Sequence, residues 1–282
     1  MPYAFTNGIV TFYEDARPGG RVDAPTVVLV HGASVDLRLW DDQVPALLAA
    51  GFRVIRYDVR GHGRSLVPPS GYSFPTYAAD LADLLDRLNV DRPITEDLGV
   101  EQVHLVGLSM GGGIALQFAL YHKERVCSLV LVDSALPGFG YSEEFSKEVQ
   151  RLVDVAREQG PKAALEEVWL SHPIFHGVRR YPEKFARLKE MVLSHQGQDL
   201  LAPPEETPPL IDHLSTIEAP SLIVVGELDL DDFQLIAQVL AANLPRARLT
   251  IIPDCGHIPP LEKPHEFNQL LISFLKEVEA HL

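Results

Sequence analysis

The amino-acid sequence predicts an α/β protein in which a mostly parallel sheet is flanked by helices. Apolar runs of strand length alternate with runs of helical periodicity up to residue 135 and again from residue 216. Residues 136–215 contain helical periodicity and no strand-like run. The predicted domains are therefore an α/β core of residues 1–135 and 216–282 and a helical cap of residues 136–215, which is expected to cover the edge of the sheet where ligands bind.

The predicted strands fall into two classes by composition. Residues 8–14 alternate in character and contain β-branched and aromatic side chains, so they predict an early antiparallel strand. The later strands are mainly apolar runs, which are typical of strands buried on both faces of a parallel sheet. These strands are residues 24–32, 52–58, 103–107, 126–135, 221–229 and 247–254.

The predicted helices connect these strands. Residues 41–50 form a short helix that ends before Gly51, the residue expected at a left-handed cap. Residues 75–88 place four leucines on one helical face. The segment 89–99 is longer than a usual connection and is expected to be an exposed excursion. The other predicted helices begin at Met110 or cover residues 145–156, 162–170, 185–192, 231–245 and 265–282.

Composition and charge restrict the class of function. Hydrophobic residues make up 46% of the chain and charged residues 22%, and the formal net charge is −15. No basic patch offsets that charge, so binding to nucleic acid or to an anionic membrane is not expected. The N-terminus has no signal-peptide pattern, and no run approaches the roughly 20 apolar residues of a membrane span. With only Cys127 and Cys255, a disulfide framework is not indicated, and we expect a cytoplasmic protein that acts on a small molecule.

The most informative stretch is residues 103–121, where an apolar strand is followed by a glycine-rich turn and a helix. Ser109 lies in that turn, in the pattern Gly-x-Ser-x-Gly with Gly107 and Gly111. In this setting the pattern predicts a nucleophile elbow, a strained turn that lifts the serine hydroxyl above the sheet edge. The helix N-terminus supplies N–H groups and a partial positive charge that suit an oxyanion. A glycine-rich turn with an incidental serine would show the same five residues. The rest of the chain must therefore distinguish a nucleophile elbow from such a turn.

A second glycine turn follows the first buried strand, at His31-Gly32-Ala33-Ser34. A glycine at this position lets the following backbone N–H point into the cleft. We therefore predict an oxyanion hole formed by the N–H groups of Ala33 and Met110. The alternative is a simple turn at the end of a strand.

Two further polar residues follow the last two predicted strands. Asp229 lies just beyond Gly226, and His257 follows the last strand in the sequence Cys-Gly-His. Because the carboxyl ends of parallel strands meet at one edge of a sheet, both side chains can converge on a serine at that edge. Ser109, Asp229 and His257 are thus predicted to form a catalytic triad.

Other histidines are weaker candidates. His62 is more consistent with a structural histidine in a glycine-containing turn than with a catalytic base. His172 and His176 have a spacing that could bind a metal on a helix, but Pro173 disfavours a regular helix, and no third ligand completes the set. No metal site is predicted.

Four aromatic residues in the predicted cap are candidates for lining a substrate pocket, although each could equally be part of an ordinary apolar core. They are Phe139, Tyr141, Trp169 and Phe175.

The order Ser109, Asp229, His257, with the elbow, the His-Gly turn and a cap between the sixth and seventh strands, resembles the α/β-hydrolase superfamily over essentially the whole chain. FRVIRYDVRGHGRS, GYSFPTYAADLADLLDRL and GLSMGGGIAL look like the enol-lactonase and carboxylesterase branch, and CGHIPPLEKP is similar to the family's histidine loop. The resemblance implies an α/β-hydrolase fold with a helical cap inserted between strands 6 and 7.

The resemblance also implies a mechanism. Ser109 attacks the carbonyl of a carboxylic ester or lactone while His257 takes its proton and Asp229 orients the imidazole. The hydroxyl of Ser34 is expected to add a third hydrogen bond to the oxyanion. Water activated by His257 then releases the acid, so no organic cofactor or metal is required.

Alternative functions within the superfamily remain. Epoxide hydrolases and haloalkane dehalogenases use an aspartate at the elbow, so Ser109 argues against both. Carbon–carbon hydrolases of diketone ring-fission products often have Asn before the serine, where this chain has Leu108. Some ligand receptors also retain a triad.

Two residue assignments also have alternatives. Asp133, at the end of the preceding strand, occupies the family's less common position for the triad acid. Arg179 and Arg180 could bind a substrate carboxylate, although adjacent arginines are more often solvated.

Overall fold

The computed structural model describes residues 2–20, 23–89, 102–205 and 207–281, and it contains one eight-stranded sheet. The strands are β1 (Tyr3–Thr6), β2 (Ile9–Ala16), β3 (Thr26–Val30), β4 (Arg53–Tyr57), β5 (Val103–Leu108), β6 (Val126–Val132), β7 (Ser221–Gly226) and β8 (Ala247–Ile252). Their order in the sheet is β1-β2-β4-β3-β5-β6-β7-β8. β2 pairs antiparallel with β1 and β4, and the other neighbours are parallel. The predicted mostly parallel sheet is confirmed.

Helices flank this sheet. The α-helices are α1 (Val44–Ala49), α2 (Phe74–Asn89), α3 (Met110–Tyr121), α4 (Glu143–Gln159), α5 (Pro161–Ala163), α6 (His176–Arg179), α7 (Pro182–Ser194), α8 (Gln198–Leu201), α9 (Asp231–Asn243), α10 (Pro259–Glu262) and α11 (Pro264–Glu279). Helix α2 packs against α3, α9 against β7 and α11 against β6. No helix in the described ranges is long and apolar enough to cross a membrane.

The described chain between β6 and β7 contains helices α4 to α8, short 3₁₀ turns and no strand. The absence of strands here agrees with the helical periodicity of the sequence. The division into a core and a cap stays a prediction, and "cap" below means residues 136–215.

Three elements differ from the sequence-based expectations. The predicted helix over 162–170 is a short α-turn, a π-turn at Ala164–Val168 and a 3₁₀ turn at Trp169–Ser171. Such a change of helical pitch redirects side chains at its end. Strand β1 has only four residues and pairs with β2 alone, so it carries too little periodicity to be predicted. Most of the predicted excursion at 89–99 lies outside the described residues.

The core is centred on the middle of the sheet. Every residue of β3, β5 and β6 is buried, which is the burial pattern expected for strands covered on both faces. The loops that follow β3, β5, β7 and β8 begin at the carboxyl edge of the sheet and carry the residues of the candidate site.

Candidate active site

Ser109 is in a strained backbone conformation at the end of β5. Its φ is 52° and its ψ is −117°, outside the regions that non-glycine residues favour. The Ser109 N–H donates to the carbonyl of Val132, and its carbonyl accepts from the N–H of Ala135, both at 2.9 Å. A Cβ on Gly107 would overlap the carbonyl of Gly111, and one on Gly111 would overlap the backbone of β3. The glycines thus allow the close approach of α3 to the sheet that this turn requires.

His257 and Asp229 are in direct contact. The Nδ1 of His257 lies 2.8 Å from Oδ2 of Asp229, and the other carboxylate oxygen accepts the N–H of Leu230 at 2.8 Å. Both side chains are almost completely buried. The Nε2 of His257 is also buried and has no hydrogen-bond partner in the described parts of the chain. An Nδ1–H donated to the carboxylate leaves Nε2 as a free acceptor in a cavity that Ser109 also lines.

Asp133, the alternative triad acid, is buried one strand away. Its Oδ1 accepts the N–H of Gly226 at 2.9 Å, and none of its hydrogen bonds reaches His257. Burial, followed by the negative charge of Asp229, raises the pKa of Asp133 well above its ordinary value. The structure therefore pairs His257 with Asp229, while Asp133 holds the end of β7 through the N–H of Gly226.

Glu262 is a buried residue of the site that the sequence reasoning missed. Its Oε2 accepts the N–H of Gly256 at 2.8 Å, and its Oε1 accepts the N–H of Ile258 at 3.0 Å. These two amides flank His257, so one carboxylate fixes the backbone on both sides of the imidazole. Burial raises the pKa of Glu262, and the two backbone hydrogen bonds act in the opposite direction. In the sequence, the only indication of this role was the position of a glutamate five residues after His257.

The His-Gly turn after β3 is held by two buried histidines. His31 accepts the N–H of Val59 through Nε2, at 2.9 Å. His62 accepts the N–H of Ser34 through Nε2 at 3.2 Å, which leaves Nδ1–H to donate to the carbonyl of Arg60 at 2.9 Å. Burial, and then the charge of His195, lowers the pKa of His62 to about 3, so it is neutral near pH 7. His62 is therefore a structural histidine of the turn, as the sequence suggested.

The side chain of Ser34 has a different role from the expected one. Its hydroxyl donates to the carbonyl of Ala33 at 2.7 Å and accepts from Nε1 of Trp169 at 2.5 Å. The hydroxyl hydrogen is thus already occupied, and the structure does not present it as a third oxyanion donor. Instead, Ser34 connects the turn to the cap. Ala33, Ser34 and Met110 all line the same cavity as Ser109.

This cavity has a volume of about 240 Å³. Of the four predicted aromatic residues, Trp169, Tyr141 and Phe175 line it. Phe139 does not, because it packs edge-on against Tyr141 at a centroid distance of 5.4 Å. The lining residues that the sequence reasoning missed include Phe145, Phe233, His195 and Asp199. A larger open groove of about 900 Å³ lies at the amino ends of the strands and contains no triad residue.

The cap arginines lie away from this cavity. Arg179 donates to the backbone carbonyls of Phe175 and Ser171, at 3.2 and 3.0 Å, and to the carbonyl of His172. Arg180 pairs with Asp254 at 2.6 Å. Neither arginine lines the cavity with Ser109, so the idea that they bind a substrate carboxylate there is not supported.

His172 and His176 do not form a metal site in the described structure. His172 lies before a 3₁₀ turn, and its Nδ1 accepts the N–H of Ile174 at 3.1 Å. Neither histidine belongs to a described group of three ligands close enough to hold one ion.

Comparison with known proteins agrees with this architecture. An esterase from Thermogutta terrifontis is 30% identical, with 96% of this chain and 94% of that chain covered and a TM-score of 0.79. The enol-lactonase from Burkholderia xenovorans LB400 is 27% identical, with 98% and 100% covered and a TM-score of 0.80. A Pseudomonas putida protein, 2-hydroxy-6-oxononadienedioate/2-hydroxy-6-oxononatrienedioate hydrolase 2, is 30% identical, with 94% of this chain and 91% of the relative covered.

The sequence pattern of the alpha/beta hydrolase family matches residues 27–270. This match spans the elbow, the turn after β3 and the loops that carry Asp229 and His257. Because the matched region covers most of the chain, and the two solved relatives superpose over 96% and 98% of it, the chain belongs to the alpha/beta hydrolase family.

Proposed function

We propose that this protein is a serine hydrolase that cleaves a carboxylic ester or lactone through an acyl-enzyme on Ser109. The observation that carries the proposal is the state of His257. Its Nδ1 contacts the carboxylate of Asp229, its Nε2 has no hydrogen-bond partner among the described residues, and His257 and Ser109 line the same cavity. That arrangement is what a general base needs in order to act on a serine hydroxyl.

In the first half of the reaction, Ser109 Oγ forms a bond to the substrate carbonyl carbon while its proton passes to Nε2 of His257. The carbonyl π electrons move to oxygen, and the resulting oxyanion accepts hydrogen bonds from the N–H groups of Ala33 and Met110. Asp229 stabilises the imidazolium cation. When the tetrahedral intermediate collapses, the bond to the alcohol oxygen breaks, and His257 gives its proton to that oxygen.

In the second half, a water molecule replaces the alcohol. His257 takes a proton from the water as it attacks the acyl carbon, and the same N–H groups stabilise the second oxyanion. The bond to Ser109 Oγ then breaks, and the proton returns from His257 to the serine. These steps need only the groups already described.

The size and lining of the cavity favour a substrate with a small or medium acyl group. Its volume of about 240 Å³ corresponds to about eight water molecules at roughly 30 Å³ each. Aromatic and aliphatic side chains form most of the described wall, including Phe145, Trp169 and Phe233. Such a wall favours an apolar acyl chain.

A carbon–carbon hydrolase of a diketone is the second candidate, and the similarity to the P. putida dioate hydrolase favours it. Breaking a carbon–carbon bond requires protonation of a carbanion in addition to acyl transfer. A dioate substrate also brings carboxylates, and no lysine or arginine is present among the described residues that line the cavity. Those two requirements make the ester or lactone the better match.

The test is a comparison of kcat/KM for a short-chain aryl ester, a five-membered lactone and a vinylogous 1,5-diketone on one preparation. The ester or lactone should be preferred. A preference for the diketone of more than about tenfold, or roughly 1.4 kcal/mol in transition-state binding, would select the carbon–carbon hydrolase instead. A ligand receptor that retains the triad would show at most one slow turnover.

A further inference from the structure

A second histidine–aspartate pair lines the same cavity and takes no part in the mechanism above. His195 directly follows α7, and Asp199 lies in α8. The Nε2 of His195 is 2.8 Å from Oδ1 of Asp199. Both residues line the cavity that contains Ser109 and His257. The pair adds polar groups to a cap wall that is otherwise mostly apolar.

Within this pair, the carboxylate is the group available to a ligand. The side chain of Asp199 is 21% exposed, whereas that of His195 is only 2% exposed. Among the described residues, His195 is the one side chain that hydrogen-bonds to Asp199, and the backbone N–H of Asp199 itself also interacts with the carboxylate. Burial alone would raise the pKa of Asp199, but the hydrogen bond and the electrostatic interaction with His195 lower it to about 2. Asp199 is therefore ionised near pH 7, and no described side chain other than His195 occupies its carboxylate.

His195 acts as a positioning residue for this carboxylate. Its ring stacks on His62 with the centroids 4.3 Å apart. Both nitrogens of His62 are already bound, one by the N–H of Ser34 and one by the carbonyl of Arg60. The N–H of His195 is thus directed to Asp199 and keeps Oδ1 occupied. The same contacts make a metal ion a poor occupant of this cluster, because His62 has no lone pair left to offer.

When an acyl group fills this largely apolar cavity, the Asp199 carboxylate loses contact with water, and that loss is costly unless the acyl group supplies a hydrogen bond in return. No lysine or arginine among the described lining residues can do so. We propose that Asp199 determines substrate specificity: it accepts a hydrogen bond from a hydroxyl or N–H group in the acyl part of the ester or lactone, and it disfavours an acyl part that carries a carboxylate. This inference rests on the proposed function and names the substrate class of the same site.

Three aryl esters of matched length test the inference. They are the p-nitrophenyl esters of N-acetyl-β-alanine, of 5-oxohexanoic acid, which has CH₂ in place of the N–H, and of glutaric acid, which carries a carboxylate. We expect the wild-type protein to prefer the N–H ester to the CH₂ ester by at least about tenfold in kcat/KM and to hydrolyse the glutarate ester most slowly. Spontaneous hydrolysis of each ester is subtracted.

Two variants separate hydrogen bonding from charge. Asp199→Leu should reduce the preference for the N–H ester to within about threefold, because the acceptor is lost. In Asp199→Asn, the amide oxygen can keep the bond from His195, which turns the NH₂ group towards the cavity. The preference for the N–H ester should then be lost or reversed, and the rejection of the glutarate ester should disappear. Glu166→Gln, an exposed carboxylate in the same cap, is the matched control and should leave all three ratios unchanged.

The inference and the proposed function can fail separately. If the wild-type protein hydrolyses the three esters at rates within about threefold of one another, the role of Asp199 is overturned and the esterase proposal stands. If Asp199→Leu slows all three esters equally and lowers the melting temperature, Asp199 is only structural and the inference is likewise overturned. If no ester is hydrolysed, the esterase proposal fails, and calorimetric Kd values decide the inference. Those values are measured with the Ser109→Ala variant in every case, and equal Kd values for the three compounds refute it.

Discussion

Replacing Glu262 should reduce catalysis through the position of His257, with little effect on substrate binding. Glu262 does not line the cavity, but its two oxygens accept the N–H groups on either side of His257, at 2.8 and 3.0 Å. Gln offers one acceptor oxygen and therefore leaves one buried N–H unsatisfied, at a cost of about 1–3 kcal/mol in unfolding free energy. A displacement of about 1 Å at a catalytic group can cost on the order of 100-fold in rate. We expect Glu262→Gln to lower kcat by about 10- to 100-fold with little change in KM.

The assay combines steady-state hydrolysis of the preferred ester with urea unfolding, so that activity and stability are measured on the same sample. Glu266→Gln changes an exposed glutamate four residues away and should match the wild-type protein in both measurements. Glu262→Leu removes both acceptors and should lose about 2–6 kcal/mol of stability, a large part of the roughly 5–15 kcal/mol that domains possess. A folded Glu262→Gln variant with wild-type kcat would refute the idea that this carboxylate positions His257.

Three further predictions concern the triad and the histidine turn. Ser109→Ala should lower ester hydrolysis by on the order of 10⁴-fold or more with an unchanged circular dichroism spectrum, and near-normal turnover would remove Ser109 from the mechanism. Asp229→Asn should reduce kcat by about 10⁴-fold, whereas Asp133→Asn, which removes no hydrogen bond to His257 and keeps an oxygen that can accept the N–H of Gly226, should stay within about tenfold of wild type; the opposite ranking would reassign the triad acid. The pKa of His62 falls from 6.5 to about 3 on folding, so the stability that it contributes is fully present above pH 6.5 and is lost as the pH falls towards 3. Urea unfolding should show that the free energy of unfolding falls between pH 7 and pH 4.5, and that it falls less in His62→Asn than in the wild-type protein. An equal loss of unfolding free energy in the two proteins would contradict the assignment.

The sequence predicted those features that depend on local periodicity and on the order of strand ends. Continuous apolar runs identified the parallel strands, and the shared edge of a parallel sheet was enough to bring Asp229 and His257 together. Asp229 follows the end of β7 at Gly226 by three residues, so its place at that edge could be read from the sequence.

Features that depend on contacts between distant segments were missed. Asp199 reaches the cavity only because the cap folds over the sheet, and the acidic residue in an i, i+4 spacing with His195 resembles an ordinary helical surface pair. Phe139 was indistinguishable by sequence from Tyr141, although only one of them faces the cavity. The hydroxyl of Ser34 was assigned to an oxyanion because the sequence does not show that it donates to the carbonyl of Ala33 and accepts from Trp169.

The hydrogen bond from Trp169 to Ser34 also limits how this enzyme could acquire new substrates. The indole belongs to the wall of the cavity that contains Ser109, yet its N–H holds the residue next to the predicted oxyanion donor Ala33. Substitutions that reshape this wall would therefore change turnover as well as selectivity. Exchanging the whole cap for that of a relative would also change turnover, unless the new cap supplied an equivalent hydrogen-bond donor to Ser34. Substrate selectivity and turnover in this protein therefore cannot be changed independently by substitutions in the cap.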